Sequence, residues 1–371
     1  MIPRVLHVFP GFGPGGTELR TVALINALGS EFQHGILSLT GDVSASVRLD
    51  PELGVEMLAA PPRGNAAAWP LALRRVARNW RPDLIVTYNW GATDMILGAL
   101  PASSCAFIHN ECGFGPDEAE RMIPRRVWTR RLLLNRIFKT VVVSERLLGI
   151  ARTQFRISPS KLQFIRTGVR TDRFTPGRNF VLRRELGILD DELVFGFAGV
   201  LREEKNLPLL IAAFAAAGLD GSKLLVVGDG PLRPMLESLA REPGAAGRVV
   251  FAGRAADPLP YYRAMDVFCM SSITEQTSNA QLEAMSCARP CIVTDVGDCA
   301  AVLGEQGRGF VVASGGQTAY AGAMTALARD PASRLAAGEA NRRRVETVYS
   351  FERMVGEYAA LWRSALVRGI A

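Results

Sequence analysis

Short apolar runs of strand length alternate with longer stretches of helical spacing along most of the chain. In the first half the runs fall at Val5 to Phe9, Gly35 to Leu39, Leu84 to Tyr88, Ala106 to Asn110 and Val141 to Ser144. In the second half they fall at Val194 to Ala198, Leu224 to Val227, Val249 to Ala252, Val267 to Met270 and Cys291 to Thr294. Runs this continuous, separated by helices, argue for parallel strands whose two faces are both covered. The pattern predicts an α/β chain of two doubly wound parallel-sheet domains, 1–175 and 176–350. The break falls around RTDRFTPGRN, 170–179, where Pro176 and Gly177 interrupt regular structure. A helical run from Ala319 to Thr347 precedes a last helix, Phe351 to Val367, which has no strand after it and is expected to cross back to the first domain.

Composition narrows the class. An apolar fraction of 48% over 371 residues is enough for two cores. The longest apolar run, Leu207 to Leu219, contains Pro208 and is too short to span a bilayer, and the N-terminal MIPRVLHVFPGFG has too short an apolar run for a signal sequence. A cytoplasmic protein is expected. The six cysteines form no C-x-x-C pair and the histidines are only His7, His34 and His109, so neither a metal site nor a disulfide framework is indicated.

Charge is unevenly placed. Residues 1–177 carry 22 Lys/Arg and 14 Asp/Glu, a net of +8, while 178–371 carry 21 and 22, a net of −1. Much of the excess lies in RMIPRRVWTRRLLLNRIFK, 121–139, seven basic residues and no acid interleaved with apolar ones. Such a segment is either a solvated basic helix face or a surface that docks on an anionic membrane. Nucleic acid is not expected as a partner, because no reading motif accompanies the charge.

Ligands of open parallel sheets bind outside the carboxyl ends of the strands, which makes the residues there the candidates for chemistry. The segment EQTSNAQLEAMSCARPCIVTDVG, 275–297, sets Glu275 and Glu283 eight positions apart. With Ser278 or Asn279 as N-cap of a helix AQLEAMS, Glu275 lies in the incoming loop and Glu283 in the second helical turn. Two carboxylates overhanging a helix N-terminus suit a ligand with hydroxyls at its ends and phosphate between them. After the first strand, PGFGPGGTELR matches G-x-G-x-x-G, but no acid ends the second strand to bind a ribose, which disfavours a dinucleotide cofactor. Gly15 and Gly16 there either bring backbone N–H groups to a phosphate or sugar, with Thr17 capping the helix, or form a plain tight turn. Arg202 and Lys205 sit between a strand and a helix capped by Asn206, placed to hold a diphosphate. Gly228 and Gly230 in VVGDGPLR, where a base and ribose can approach the backbone, and Arg254 in FAGRAAD follow two further strands and are read as donor-binding. In the first half, His109 and Asn110 end a strand and run into ECGFGPDE, while Tyr88, Asn89 and Trp90 end another and are read, with Glu111, as lining an acceptor pocket.

Together these segments resemble the retaining glycosyltransferases of family four, which have the GT-B fold of two Rossmann-like domains facing a central cleft. The likeness spans nearly the whole chain and is strongest from Gly196 to Gly309. The resemblance implies that Glu283 binds the donor ribose, that Glu275 contacts the transferred sugar with backbone N–H groups of Gln276, Thr277 and Ser278 nearby, that Lys205 and Arg202 hold the diphosphate, and that His109 lies beside the sugar. It implies no cofactor and no metal, the nucleotide-sugar being a substrate. The expected activity is transfer of a hexose from a UDP- or GDP-sugar to a glycan or polyprenyl-linked saccharide in cell-surface polysaccharide synthesis, by an enzyme lying on the inner face of the plasma membrane. A nucleotide-sugar 2-epimerase and a non-catalytic sugar-nucleotide-binding protein are the alternatives. The chain departs from the family at Val200, where an arginine is usual, at TGVR, 167–170, at Ala301, and in having EQTS where EGFG-like residues are common.

Overall fold

The structure, a computed structural model, describes residues 2–65, 68–100, 105–114, 118 and 121–369, without the side chains of the last two. Part of ECGFGPDE, residues 115–117, lies outside these. The chain forms two compact units, 1–166 with 353–371 and 167–352. The first crossing therefore precedes the predicted break by nine residues, because TGVRTDRF already packs with the second unit: Val169 and Phe174 are buried in its core.

The first unit runs β1 (Arg4–Phe9), α1 (Gly16–Leu28), β2 (Gln33–Ser38), β3 (Glu56–Leu58), α2 (Ala68–Trp80), β4 (Leu84–Tyr88), α3 (Thr93–Ala99), β5 (Ala106–Glu111), α4 (Pro124–Leu134), β6 (Lys139–Val142), α5 (Glu145–Thr153) and β7 (Leu162–Phe164). Its parallel sheet has the order β3-β2-β1-β4-β5-β6-β7. Residues of β1, β4 and β5 such as Val5, Leu6, Ile85, Val86 and Ile108 are fully buried, as strands covered on both faces require.

The second unit runs α6 (Phe180–Glu185), β8 (Leu193–Ala198), α7 (Leu207–Ala217), β9 (Ser222–Val227), α8 (Arg233–Leu239), β10 (Val249–Gly253), α9 (Leu259–Ala264), β11 (Val267–Met270), α10 (Asn279–Ser286), β12 (Cys291–Thr294), α11 (Cys299–Leu303), β13 (Val311–Val312), α12 (Gln317–Arg329) and α13 (Pro331–Val348). The sheet order is β10-β9-β8-β11-β12-β13. In each sheet the order of strand addition thus reverses once, between β1 and β4 and between β8 and β11. Such a reversal opens a crevice at the strand carboxyl ends, and both units carry the doubly wound order predicted for them.

The helical run predicted over 319–347 is two helices. Pro331 has no N–H to continue α12, and Asp330 caps the new helix by accepting from Ser333 N at 2.9 Å. The last helix, α14 (Phe351–Gly369), belongs to the first unit. Trp362, fully buried, packs against His7 and Phe32 with ring centroids 5.4 and 5.5 Å away, and the Tyr358 hydroxyl donates to Asn110 Oδ1 at 3.0 Å. Among the described residues no helix is long and apolar enough to cross a membrane.

Candidate functional site

In the second unit, the loops leaving β8 and β11 flank the point where strand order reverses, and they carry Lys205 and Glu275. Lys205 closes a single 3₁₀ turn, Glu203–Lys205. Asn206 follows it at φ +48, a left-handed residue whose side chain makes no cap; it turns the chain into α7 rather than capping it as expected. Pro208 occupies the first turn of α7, where its missing N–H costs nothing. The loop is fastened on both sides. Leu201 N donates to Asp229 O at 3.0 Å, Ile273 N donates to Glu204 O at 2.8 Å, and the Ser271 hydroxyl donates to Lys205 O at 2.8 Å.

Lys205 Nζ makes a direct, half-buried ion pair with Glu275 Oε1, which also accepts from Ser272 Oγ at 3.3 Å. The Glu275 loop is braced from below. Asp298 N donates to Gln276 O at 2.9 Å, and Gly297, at φ +54, lies so close that a Cβ there would come within 2.1 Å of Glu275 O. The glycine of TDVG is thereby accounted for: only a residue without a side chain fits beneath the acidic loop.

Ser278 caps α10, accepting from Gln281 N at 3.3 Å, and Glu283 falls in the second turn. The Tyr262 hydroxyl, from α9, donates to Glu283 Oε2 at 2.8 Å. Burial pushes the Glu283 carboxyl up to about 7, against the opposing effect of that hydrogen bond. Tyr262 is a partner that sequence reasoning missed, since nothing in a separation of twenty-one residues announces it.

Gly228 and Gly230 are required by packing within the unit. A Cβ at Gly228 would sit 1.8 Å from Gly199 O and one at Gly230 would sit 2.5 Å from Leu201 O, so both let this loop pack on the Lys205 loop. Arg202 and Arg254 are exposed; Arg254 follows β10, the edge strand, two strands away from β8.

In the first unit, the glycine loop and Asn89 flank the other reversal. Gly15 is itself the N-cap of α1, without a side-chain hydrogen bond, and Thr17 lies inside the helix, so the expected Thr17 cap is replaced by a glycine. Gly16 opens the helix. Asn89 adopts φ +56 and its side-chain oxygen accepts from Cys112 N at 2.9 Å. With Trp90, Gly91, Phe114, Arg126 and Arg130 it lines a cavity of about 430 Å³.

Tyr88 and Glu111 do not line it. Tyr88 is a core residue, stacked on Phe9 at 4.1 Å and hydrogen-bonded through its hydroxyl to His7 Nδ1 at 3.0 Å. Glu111 is buried against Arg130, Nε to Oε2 2.8 Å, and Arg130 in turn reaches Glu118 at 3.0 Å. Burial alone would raise the Glu111 carboxyl, but the neighbouring His109 and the Arg130 charge hold it below the ordinary value. His109 is fully buried; its Nδ1 pairs with Thr87 Oγ1 at 2.8 Å and its Nε2 lies 3.7 Å from Glu111 Oε2. Arg126 and Arg130 were read only as part of a basic run. Their i, i+4 spacing in phase with Leu133 was the available sign that they face inward.

Among the described residues no group of His, Cys, Asp or Glu is clustered as metal ligands. What the second unit presents at its strand ends is a lysine, two carboxylates and a capped helix N-terminus, a set suited to phosphate and hydroxyl groups together.

Comparison with known proteins agrees. The family model described as Glycosyltransferase Family 4 matches residues 14–173, and the model described as Glycosyl transferases group 1 matches 192–330. The chain is 34% identical over 199 residues to a D-inositol 3-phosphate glycosyltransferase of Stackebrandtia nassauensis, covering 50% of this chain and 45% of that protein. The chain thus spans about half the length of this and similar curated relatives. It is 25% identical over 307 residues, 79% of each chain, to the putative glycosyltransferase EpsF of Bacillus subtilis. A structure of Anabaena HepE in complex with UDP superposes with a TM-score of 0.85 at 18% identity, covering 97% of this chain and all of that one, which establishes the GT-B fold.

Proposed function

The chain belongs to glycosyltransferase family 4, and from that premise we propose that it transfers a hexose from a UDP- or GDP-sugar to a glycan or lipid-linked saccharide, with retention of anomeric configuration, in cell-surface polysaccharide synthesis. The observation that carries the reading is the Lys205–Glu275 pair at the strand reversal, with Glu283 one turn further into α10. The complex of HepE with UDP supports a uridine nucleotide as donor.

Chemistry follows from charge. As the bond between sugar and phosphate breaks, negative charge grows on the departing diphosphate. Lys205, assisted by Arg202, stabilises it, and such fixed donors are worth roughly 3–4 kcal/mol each. Lys205 is paired with Glu275; a bound diphosphate takes the ammonium, which leaves Glu275 to accept from a sugar hydroxyl. Glu283 accepts from the ribose hydroxyls. The departing phosphate takes the acceptor proton on the face it leaves, which preserves configuration.

The lipid-linked acceptor is supported by α4, where Trp128 is 65% and Leu132 is 54% exposed beside Arg125 and Arg131, a basic face with an apolar edge. Titrating UDP, GDP and ADP, with EDTA present, and reading the heat of binding tests the donor assignment. One nucleotide is expected to bind selectively; if none binds, the donor site is misassigned. Sedimentation with anionic vesicles, lost in Trp128→Ser/Leu132→Ser, tests the membrane surface.

A further inference from the structure

The second unit holds another cavity, of about 640 Å³, at the opposite end of its sheet from Lys205 and Glu275. Its walls are the turn Ala288–Pro290, which enters β12, Asp266, which enters β11, the segment at Pro176, and one face of α13 from Pro331 to Arg343. Helix and turn are pressed together here: a Cβ on Gly338 would come within 2.2 Å of Ala288 O.

Charge singles this cavity out. Five arginines line it, Arg178, Arg289, Arg334, Arg342 and Arg343, against two acids, Asp266 and Glu339, so the lining carries 5 − 2 = +3. That excess sits in a half of the chain whose own net charge is −1, from 21 basic and 22 acidic residues. Asp266 is already engaged by Arg183, Nη2 to Oδ2 2.8 Å, by Val194 N, and on its other oxygen by Arg178 at 3.3 Å. Glu339 meets Arg343 only at 3.7 Å, with both side chains more than half exposed.

Arg289 is the decisive group. It is 8% exposed, and its Nε, Nη1 and Nη2 donate to the carbonyls of Cys287, Met265 and Gly177 at 2.9, 2.8 and 2.7 Å. Three of its five N–H groups are thereby used and two are left. No carboxylate among the described residues lies within ion-pair distance of it. Burial lowers its pKa; Cys287 and Asp266 oppose the effect, and Arg178 and Arg183 add to it. A buried cation whose direct partners are all backbone carbonyls is costly, and an anion taking its two remaining N–H groups would offset that cost.

We propose that this cavity is a second ligand site, separate from the strand-end site, that takes a small phosphate-bearing anion. Arg289 forms its floor, and the half-exposed Arg178 and Arg343, whose ion pairs are single contacts of 3.3 Å to Asp266 and 3.7 Å to Glu339, turn from those acids to the ligand. A diphosphate and a sugar phosphate both fit the volume and share the chemistry the guanidinium groups recognise.

The test uses the full chain carrying Lys205→Ala, which disables phosphate binding at the strand ends, and reads the heat of binding of pyrophosphate and, separately, of glucose 1-phosphate at fixed ionic strength. Substituting Arg289 would disturb the fold through its three carbonyls, so the exposed pair is changed instead, Arg178→Ala/Arg343→Ala. Saturable binding of either probe to the Lys205→Ala protein, weakened at least tenfold by the arginine pair, is the expected result, and which probe binds more tightly separates inorganic from sugar-bound phosphate. Binding that the arginine pair leaves unchanged, or heats matched by chloride, would overturn the proposal. Loss of the arginine-dependent site and loss of the Lys205-dependent site are read independently, so this inference and the glycosyltransferase reading fail separately.

Discussion

Replacing Glu283 by glutamine should strengthen the fold while it weakens the ligand site. The wild-type carboxyl titrates near 7 in the folded protein against an ordinary value of 4.5. Between those two pH values the unfolded chain releases a proton that the native state keeps, so the native state binds more protons and stability falls as pH rises. The full cost is 2.5 × 1.36, about 3.4 kcal/mol, present above pH 7 and absent below 4.5. Residual solvent contact at the site reduces the expected value to about 1–2 kcal/mol. Glutamine keeps the shape and still accepts from the Tyr262 hydroxyl, but has no charge to bury. Urea unfolding of both proteins at pH 4.5, 6, 7 and 8 isolates the effect, because groups common to both cancel in the difference. The variant should match the wild type at pH 4.5 and exceed it progressively up to pH 7, with a plateau beyond. Its affinity for the nucleotide should drop at least tenfold at pH 8, since a charge-assisted hydrogen bond contributes about 1.5–3 kcal/mol. A stability difference that does not change with pH would refute the reasoning, as would a variant that is less stable at pH 8.

Lys205→Ala should lower kcat by about 10²–10³ with a smaller change in KM, as loss of a donor to developing charge does; steady-state kinetics with the nucleotide-sugar would show it. Burial lowers His34 to about 4, so the His7–His34–Tyr88 chain gives stability that is complete above pH 6.5 and lost as pH falls toward 4. His34→Gln should flatten that dependence in urea unfolding compared at pH 6.5 and 4.5. Gly228→Ala, at φ +134 with a Cβ 1.8 Å from Gly199 O, should cost about 2–5 kcal/mol and lower Tm measurably in a thermal melt.

The interior strands were legible because burial on both faces makes them continuous apolar runs; β4, β11 and β12 coincide with the sequence reading residue for residue. The three strands that were not, β3, β7 and β13, all lie at sheet edges and are three residues long or shorter. Two or three residues at an edge give too short an apolar run to stand out, whereas the longer edge strand β10, Val249–Gly253, was legible. The shift of β6 to Lys139–Val142 has a local cause: Ser144 had been read as strand but caps α5, accepting from Leu147 N at 3.0 Å. In the site, Ser278 and Glu283 could be placed because helix capping is a local rule. Tyr88 and Glu111 misled because a polar residue at a strand end was assumed to face outward, whereas His7 and Arg130, remote in sequence, supply buried partners. Tyr262 and Arg289 were beyond reach for the same reason: their roles arise only when separate elements pack.

The second unit begins and ends at the same place. Val169 N donates to Tyr349 O at 2.8 Å, and Phe351 N donates to Val169 O at 3.0 Å, so the entering and leaving chains are stitched side by side. A module whose ends meet in this way can be lifted from one gene and set into another with two short seams. Residues 167–352 are therefore a natural cassette for exchange between relatives, by recombination in the cell or by design, whereas the first unit cannot travel whole without its distant terminal helix.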